Sequence, residues 1–255
     1  MVRYEDPVVR SVLDALHREA RGDLRRAIGK GPSPWFRLLR GGGWDPDLLR
    51  ELYLPVSPAK GRFLYQIART TGARTVVEFG TSFGISTIYL AAAVAATFAD
   101  DDLGEGERAP LPGSVVATEI EPGKCAAARA NLERAGLGGL VDLRQGDALA
   151  TLPEALPTSV DLLFLDGHKD QYLEVLHLAR DRLHPGSVVL ADNANFRSVR
   201  GFLRAVRDPA SGFVSSTLFR GTLEFSTLLG PAGANGLASR RHGRAGEGDT
   251  SGATG

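Results

Sequence analysis

The chain should fold as an α/β protein, with one mainly parallel sheet covered by helices on both faces and finished by an antiparallel pair of strands. Two observations predict this. From Thr75 onward, short β-rich apolar runs alternate with helical patterns, the rhythm of strand, crossover helix and strand. The last two strand-like runs, FVSSTLF and TLEFSTLL, are separated only by Arg220 and Gly221, a link that permits a hairpin and forbids a parallel crossover. At 255 residues the chain can bury one sizeable core, and its composition changes sharply only at the end.

Taken in order, Pro7 to Ile28 reads as a helix with Val8, Val12, Leu13, Leu16 and Leu24 mainly on one face and arginines over the rest. GKGPSP ends it, and a looser segment through Trp35 and Trp44 follows. In PVSPAKGRFLYQIARTTGA, the residues Phe63, Leu64, Ile67 and Ala68 predict a helix that stops at Gly72. Then come TVVEF and a helix from Ser86 to Phe98, SVVATE and a helix from Lys124 to Ala135, and VDLRQ with a short helical turn. VDLLFLD precedes a helix from Gln171 to Leu183, and SVVLAD one from Val199 to Val206. The stretch ADDDLGEGERAPLPG is acidic and poor in apolar residues, and is expected to be an exposed loop. From Pro231 the chain is Gly-rich and too apolar-poor to repay the entropy of ordering, which predicts a disordered tail.

Lys plus Arg number 30 and Asp plus Glu number 30, so the charge balance advertises neither nucleic acid nor an acidic membrane as partner and suits a small-molecule acceptor better. No stretch approaches the roughly 18 uninterrupted apolar residues needed to cross a bilayer, and no charged start leads into an apolar run; the expected location is cytoplasmic. Cys125, the single cysteine, lies among alanines and reads as a small buried hydrophobe.

Open parallel sheets bind ligands beyond the carboxyl ends of their strands, so those ends carry the functional reading. The first strand runs through Glu78 into Gly80, Thr81, Ser82, Phe83, Gly84 and Ser86. Two glycines four apart let the backbone approach a ligand, and Ser86 with the free amides of the helix start can hold a carboxylate. The pattern is not the G-x-G-x-x-G of a dinucleotide turn. Glu119 ends the second strand, where an acidic side chain can accept from both ribose hydroxyls or simply favour the helix that starts at Pro122. Gly146, Asp147 and Ala148 end the third strand, where Asp147 suits an adenine amino group and can equally cap the next turn.

The fourth strand delivers Asp166, followed by Gly167, His168, Lys169 and Asp170; the fifth delivers Asp192 and Asn193. Neighbouring strands lie ~5 Å apart, so Asp166, Asp192 and Asn193 can share one ion. Magnesium takes about six hard oxygens, which leaves places for water and for two neighbouring oxygens of a substrate. His168 is not read as a ligand in such company; a packing role against a cofactor suits it better. A phenol of pKa ~10 is a poor nucleophile until a cation stabilises its oxyanion. Lys169 can take the proton if the surrounding positive charge lowers its own pKa; the alternative is a surface cation paired with Asp170. Glu224 interrupts an apolar strand and faces either solvent or the site's rim.

The runs PVSPAKG, VVEFGTSFGIS, TEIEP, FLDGHKDQYL, VVLADN and TLEFSTL resemble, in order, the motifs of the metal-dependent, catechol O-methyltransferase type of class I S-adenosylmethionine enzyme over roughly residues 54 to 229. The combination of D-x-x-K-D-x-Y with A-D-N is the specific part. The resemblance implies a single Rossmann-like, doubly wound, seven-stranded sheet with the terminal hairpin. It makes residues 54–230 the methyltransferase domain; by their own pattern residues 1–53 are a helical extension expected to cover the pocket or contact a second copy in a homodimer, and 231–255 are the tail. It implies S-adenosylmethionine held at its methionine end by Val56, Gly80 and Ser86 and at its ribose by Glu119, with Glu78, Thr81, Ser82, Gly84, Ile120, Asp147, Ala148, Asp166 and His168 completing the cofactor set. Mg2+ or another divalent cation falls to Asp166, Asp192 and Asn193, the base to Lys169, and a hydrogen bond to a substrate hydroxyl to Glu224. Gly167 and His168 replace a histidine and a tryptophan of the animal enzyme, and Leu52 and Leu54 replace its gatekeepers, which leaves the acceptor open among catechol-like, phenolic and vicinal diol compounds. Two other readings remain: a nicotinamide-dependent oxidoreductase, and a cofactor-binding protein of the same fold without catalysis.

Overall fold

The computed structural model describes residues 3–29, 56–100, 113–154 and 156–229. The side chain of Leu24, the segment through Trp35, Trp44, Leu52 and Leu54, most of the acidic loop and the tail lie outside the described residues.

The elements are α1 (Pro7–Gly29), α2 (Pro58–Thr70), β1 (Val76–Phe79), α3 (Ile85–Asp100), β2 (Val115–Glu119), α4 (Pro122–Arg134), β3 (Val141–Gln145), α5 (Ala148–Thr151), β4 (Val160–Leu165), α6 (Tyr172–Ala179), β5 (Leu183–Asp192), α7 (Arg200–Arg207), β6 (Phe213–Leu218) and β7 (Leu223–Leu228). They form the expected α/β architecture, one seven-stranded sheet in the order β3-β2-β1-β4-β5-β7-β6. The first five strands are parallel, and β7 lies antiparallel between β5 and β6. One face carries a core shared by α1, α2, α3 and α4; the other carries a core shared by α5, α6 and α7.

Helix α3 explains the first of these layers. Every residue from Ile85 to Phe98 is buried, the state required of a helix that is apolar all round, because the sheet lies on one side and α1 and α2 on the other. In α1 the buried stripe is Val9, Val12, Leu13, Leu16 and Ala20, whereas Val8, expected inside, is 53% exposed. Val9 takes its place, Val12, Leu13 and Leu16 are inside as expected, and α1 is part of the main core. Cys125 is buried in α4, as expected.

Most boundaries shift by a residue or two, and larger departures from the sequence reading fall at two places. The helix expected to reach Leu183 ends at Ala179, because Arg180–Arg182 tighten into a 3-10 turn and Leu183 already opens β5. The terminal hairpin is linked by Phe219 to Thr222 rather than by two residues. Phe219, Arg220 and Gly221 all take positive φ there, and the last strand turns back into the sheet beside β5.

Candidate active site at the carboxyl edge of the sheet

Alternation along the strands decides which side chains meet. Val76, Phe164 and Leu190 face the α1 to α4 layer, so Glu78, Asp166 and Asp192, each an even number of residues further, project to the same side at the strand ends. The parallel register of β1, β4 and β5 then sets them side by side.

The turn from β1 into α3 is wound in the left-handed region at Gly80, Ser82 and Gly84. At Gly80 a Cβ would lie 2.4 Å from the backbone of Gly167, so glycine is what lets the turns after β1 and β4 touch. Gly80 and Thr81 donate their N–H groups to the carbonyl of Thr118, and Asn131 of α4 donates to the carbonyl of Phe83 at 3.0 Å. The winding at Ser82 aims its N–H at Glu119 Oε2, 2.7 Å away, while Glu119 Oε1 accepts from the N–H of Glu121 at 2.9 Å. Glu119 is thus clasped at the tip of β2, next to Ile120, which leaves 69% of its surface exposed. Val56 is buried just ahead of α2.

Glu78 is wholly buried. Its Oε2 accepts from Thr81 and Thr87, Ser86 also favours the charged carboxyl, and among the described residues Oε1 has no hydrogen-bond partner. Burial pushes this carboxyl up to about 7. Asp147 caps α5, accepting from the N–H of Leu149 at 2.9 Å, the second of the two roles open to it; Ala148 beneath is buried.

Asp166 meets Lys169 Nζ at 2.9 Å, and the same ammonium donates to the Tyr172 hydroxyl at 2.8 Å and to the Asp166 carbonyl at 3.2 Å. Lys169 is therefore buried and turned inward, not paired with exposed Asp170 at the surface. Burial holds the Asp166 carboxyl above the ordinary range; Lys169 pulls it down and Asp192 pushes it up. The Tyr172 hydroxyl in turn donates to the carbonyl of Asp192 at 3.2 Å. Asp192 Oδ1 accepts from the N–H of Asn193, at 2.7 Å, and from Lys60 Nζ. Asn193 takes a left-handed φ of 55°, a conformation its short amide tolerates. His168 is exposed on the rim between Asp166 and Lys169.

Lys60, Tyr172 and Gly167 belong to this cluster although the sequence analysis gave them no role there: Lys60 lies in PVSPAKG, Tyr172 closes D-x-x-K-D-x-Y, and Gly167 marks a departure from the animal enzyme. Lys60 is 132 positions from Asp192, and only the folded chain brings them together. Its place is set by α2, which Ser57 caps, and by Gly61, where a Cβ would lie 2.2 Å from the ring of Tyr89 in α3.

Glu224 does not join the cluster. It pairs in register with Ala191, one residue back from Asp192, and therefore points to the opposite face of the sheet. There Arg207 of α7 grips it through Nε and a terminal nitrogen, each at 2.6 Å, and Thr217 donates at 2.9 Å. Both carboxylate oxygens are taken, so in this structure Glu224 neither lines the rim nor faces solvent. Among the described residues no group of three His, Cys, Asp or Glu side chains forms a metal cluster, and no helix is long and apolar enough to cross a membrane.

Residues 77–194 match the model of a methyltransferase domain. The chain is 32% identical over 143 residues to a catechol O-methyltransferase of Niastella koreensis, covering 55% of this chain and 58% of the relative. It is 35% identical over 140 residues to a catechol O-methyltransferase of Mycobacterium tuberculosis, covering 55% and 57%. The chain thus matches less than two thirds of the length of these relatives. Among solved structures, the O-methyltransferase from Bacillus cereus in complex with SAH superposes with a TM-score of 0.57 at 23% identity, over 86% of this chain and 90% of that one, a likeness of fold.

Proposed function

We infer that this chain, which carries a class I methyltransferase domain of the S-adenosylmethionine-dependent O-methyltransferase type, transfers a methyl group from S-adenosylmethionine to an oxygen of a small molecule. The observation that carries the reading is the single edge at which the clasped Glu119, the left-handed turn from Gly80 to Gly84 and the Asp166, Lys169 and Asp192 cluster all meet.

The sulfonium cofactor fits the first half of that edge. Glu119 presents a fixed carboxylate suited to ribose hydroxyls, exposed Ile120 offers an apolar neighbour, and among the described residues no donor reaches Oε1 of Glu78. Ala148 and the uncapping side of Asp147 lie at the adjoining strand end. No observation favours a nicotinamide cofactor.

A divalent cation fits the second half by the chemistry of the donors. Asp166, Asp192 and Asn193 are hard oxygen donors, and the two carboxylates repel one another in a buried place. Bound there, a cation such as Mg2+ would stabilise the oxyanion of the acceptor. An acceptor with two neighbouring oxygens, a catechol or vicinal diol, suits such a site. Lys169 is the group assigned to the proton of the acceptor hydroxyl, which it would take as the neutral amine, with Asp166 and Tyr172 fixing its Nζ. The bound cofactor would supply the methyl group, its C–S bond breaking as the O–C bond forms, and a site that holds oxygen, carbon and sulfur in line would contribute ~7 kcal/mol or more.

Incubation with labelled S-adenosylmethionine and a mixture of catechols, phenols and vicinal diols, with Mg2+ or with chelator, tests this. Metal-stimulated transfer to an acceptor is the expected result. Cofactor binding with no transfer to any acceptor would make the protein a non-catalytic binder, and transfer indifferent to chelator would remove the metal from the scheme.

A further inference from the structure

The Lys60 ammonium occupies a position that its own helix disfavours. It is the third residue of α2, among the free amides of the first turn, where the macrodipole suits a carboxylate and opposes a cation. Asp192 is what holds it there: among the described residues Lys60 Nζ hydrogen-bonds Asp192 alone, and its side chain keeps 14% of its surface exposed. Lys169, by contrast, is fixed by three oxygens of its own turn and of α6. Each of the two carboxylates therefore already has a lysine, and a dication arriving between them gains its full attraction only if one ammonium withdraws. Lys60 is the one that can, since it has one partner, a flexible stem and a path to water.

We propose that Lys60 is a built-in counter-ion that stands in for a divalent cation on Asp192 and is displaced when the metal binds. The inference rests on the metal site described under the proposed function. It makes the metal-free chain stable at the expense of metal affinity, and it couples metal loading to the start of α2, the segment that also carries Val56 and Ser57.

The test uses Mn2+ alone, titrated into the full chain and followed by its paramagnetic resonance signal, with Lys60→Gln, Lys60→Met and Asp192→Asn variants alongside. Both Lys60 variants should bind Mn2+ at least ten-fold more tightly than the wild type, and Asp192→Asn should lose the binding. In the wild-type chain, amine labelling read by mass spectrometry should rise at Lys60 when Mn2+ is added; this second measurement does not depend on how well a variant folds. Equal or weaker binding in the Lys60 variants, with binding still abolished in Asp192→Asn, overturns the counter-ion role and leaves the metal site standing. Unchanged labelling of Lys60 on saturation with Mn2+ overturns it too. Binding to none of the proteins removes the metal site and this proposal together.

Discussion

Lys169 and Glu119 are both fixed by short hydrogen bonds, yet the bonds do different things. Lys169 Nζ is held by Asp166 and by the Tyr172 hydroxyl, in reach of the place where two carboxylates meet. A group used only while the proton moves affects the rate and not the binding. Lys169→Ala is therefore expected to lower the rate at saturating substrates by ~100-fold or more, the usual size of an acid or base contribution, while the KM for each substrate moves little. A saturated rate equal to the wild type would make Lys169 a counter-ion of Asp166 and nothing else. Glu119 is fixed by two backbone N–H groups, from Ser82 and Glu121, that hold both its oxygens at the tip of β2, where the proposed cofactor would bind. Glu119→Ala removes hydrogen bonds to a charged acceptor, worth ~1.5 to 3 kcal/mol, and should weaken S-adenosylmethionine binding about ten-fold to a hundred-fold by calorimetry. An unchanged Kd, in a variant that melts where the wild type does, would take Glu119 out of the cofactor site.

At the scale of elements, the strands β1, β2, β4 and the second half of β5 were legible because they are almost wholly buried and read as largely apolar runs, and because an acid at or near the end of each run breaks the pattern. The terminal hairpin was legible as a pair of strands but not in its facing. Glu224 is a charge in an apolar strand, and a linear sequence does not say which of two faces receives it; the register of β7 on β5, one residue off from Asp192, does. Nor could periodicity in α7 single out Arg207 as the partner of Glu224 from among its neighbouring arginines. The consequence is measurable. Arg207→Ala leaves a carboxylate with 0% side-chain exposure gripped only by Thr217, and should cost about 2 kcal/mol of stability in denaturant unfolding. The saturated methylation rate of the folded variant should stay within about two-fold of the wild type. A large loss of rate with normal stability would instead mean that Glu224 turns to the active site in the working enzyme.

Over the whole molecule, one topology brings acids from distant parts of the chain to a single edge, and it does so at an electrostatic cost. Glu78, Asp166 and Asp192 sit close together on the α1 to α4 side, with Lys60 and Lys169 among them. The parallel sheet behind this was readable from the alternation of runs; its strand order was not, and neither were the pairings of ammonium and carboxylate, which join residues more than a hundred positions apart as readily as residues three apart. Glu78 records the cost most directly. Its carboxyl stands at about 7 in the folded chain against 4.5 for the free side chain, because burial penalises the charged form more than Ser86, Thr87 and Thr81 favour it. Between those values the folded state holds a proton that the unfolded state has released, so stability falls as pH rises from about 4.5 towards 7 and levels off above. A glutamine at this position carries no such proton, while every other titrating group is common to both proteins. The stability of the wild type relative to Glu78→Gln should therefore decline by on the order of 3 kcal/mol between pH 5 and pH 8 in the cofactor-free chains. Denaturant midpoints measured across that range give the two curves. Curves that run parallel would show that Glu78 is ionised throughout in the folded chain, and that Oε1 already has a partner before any cofactor arrives.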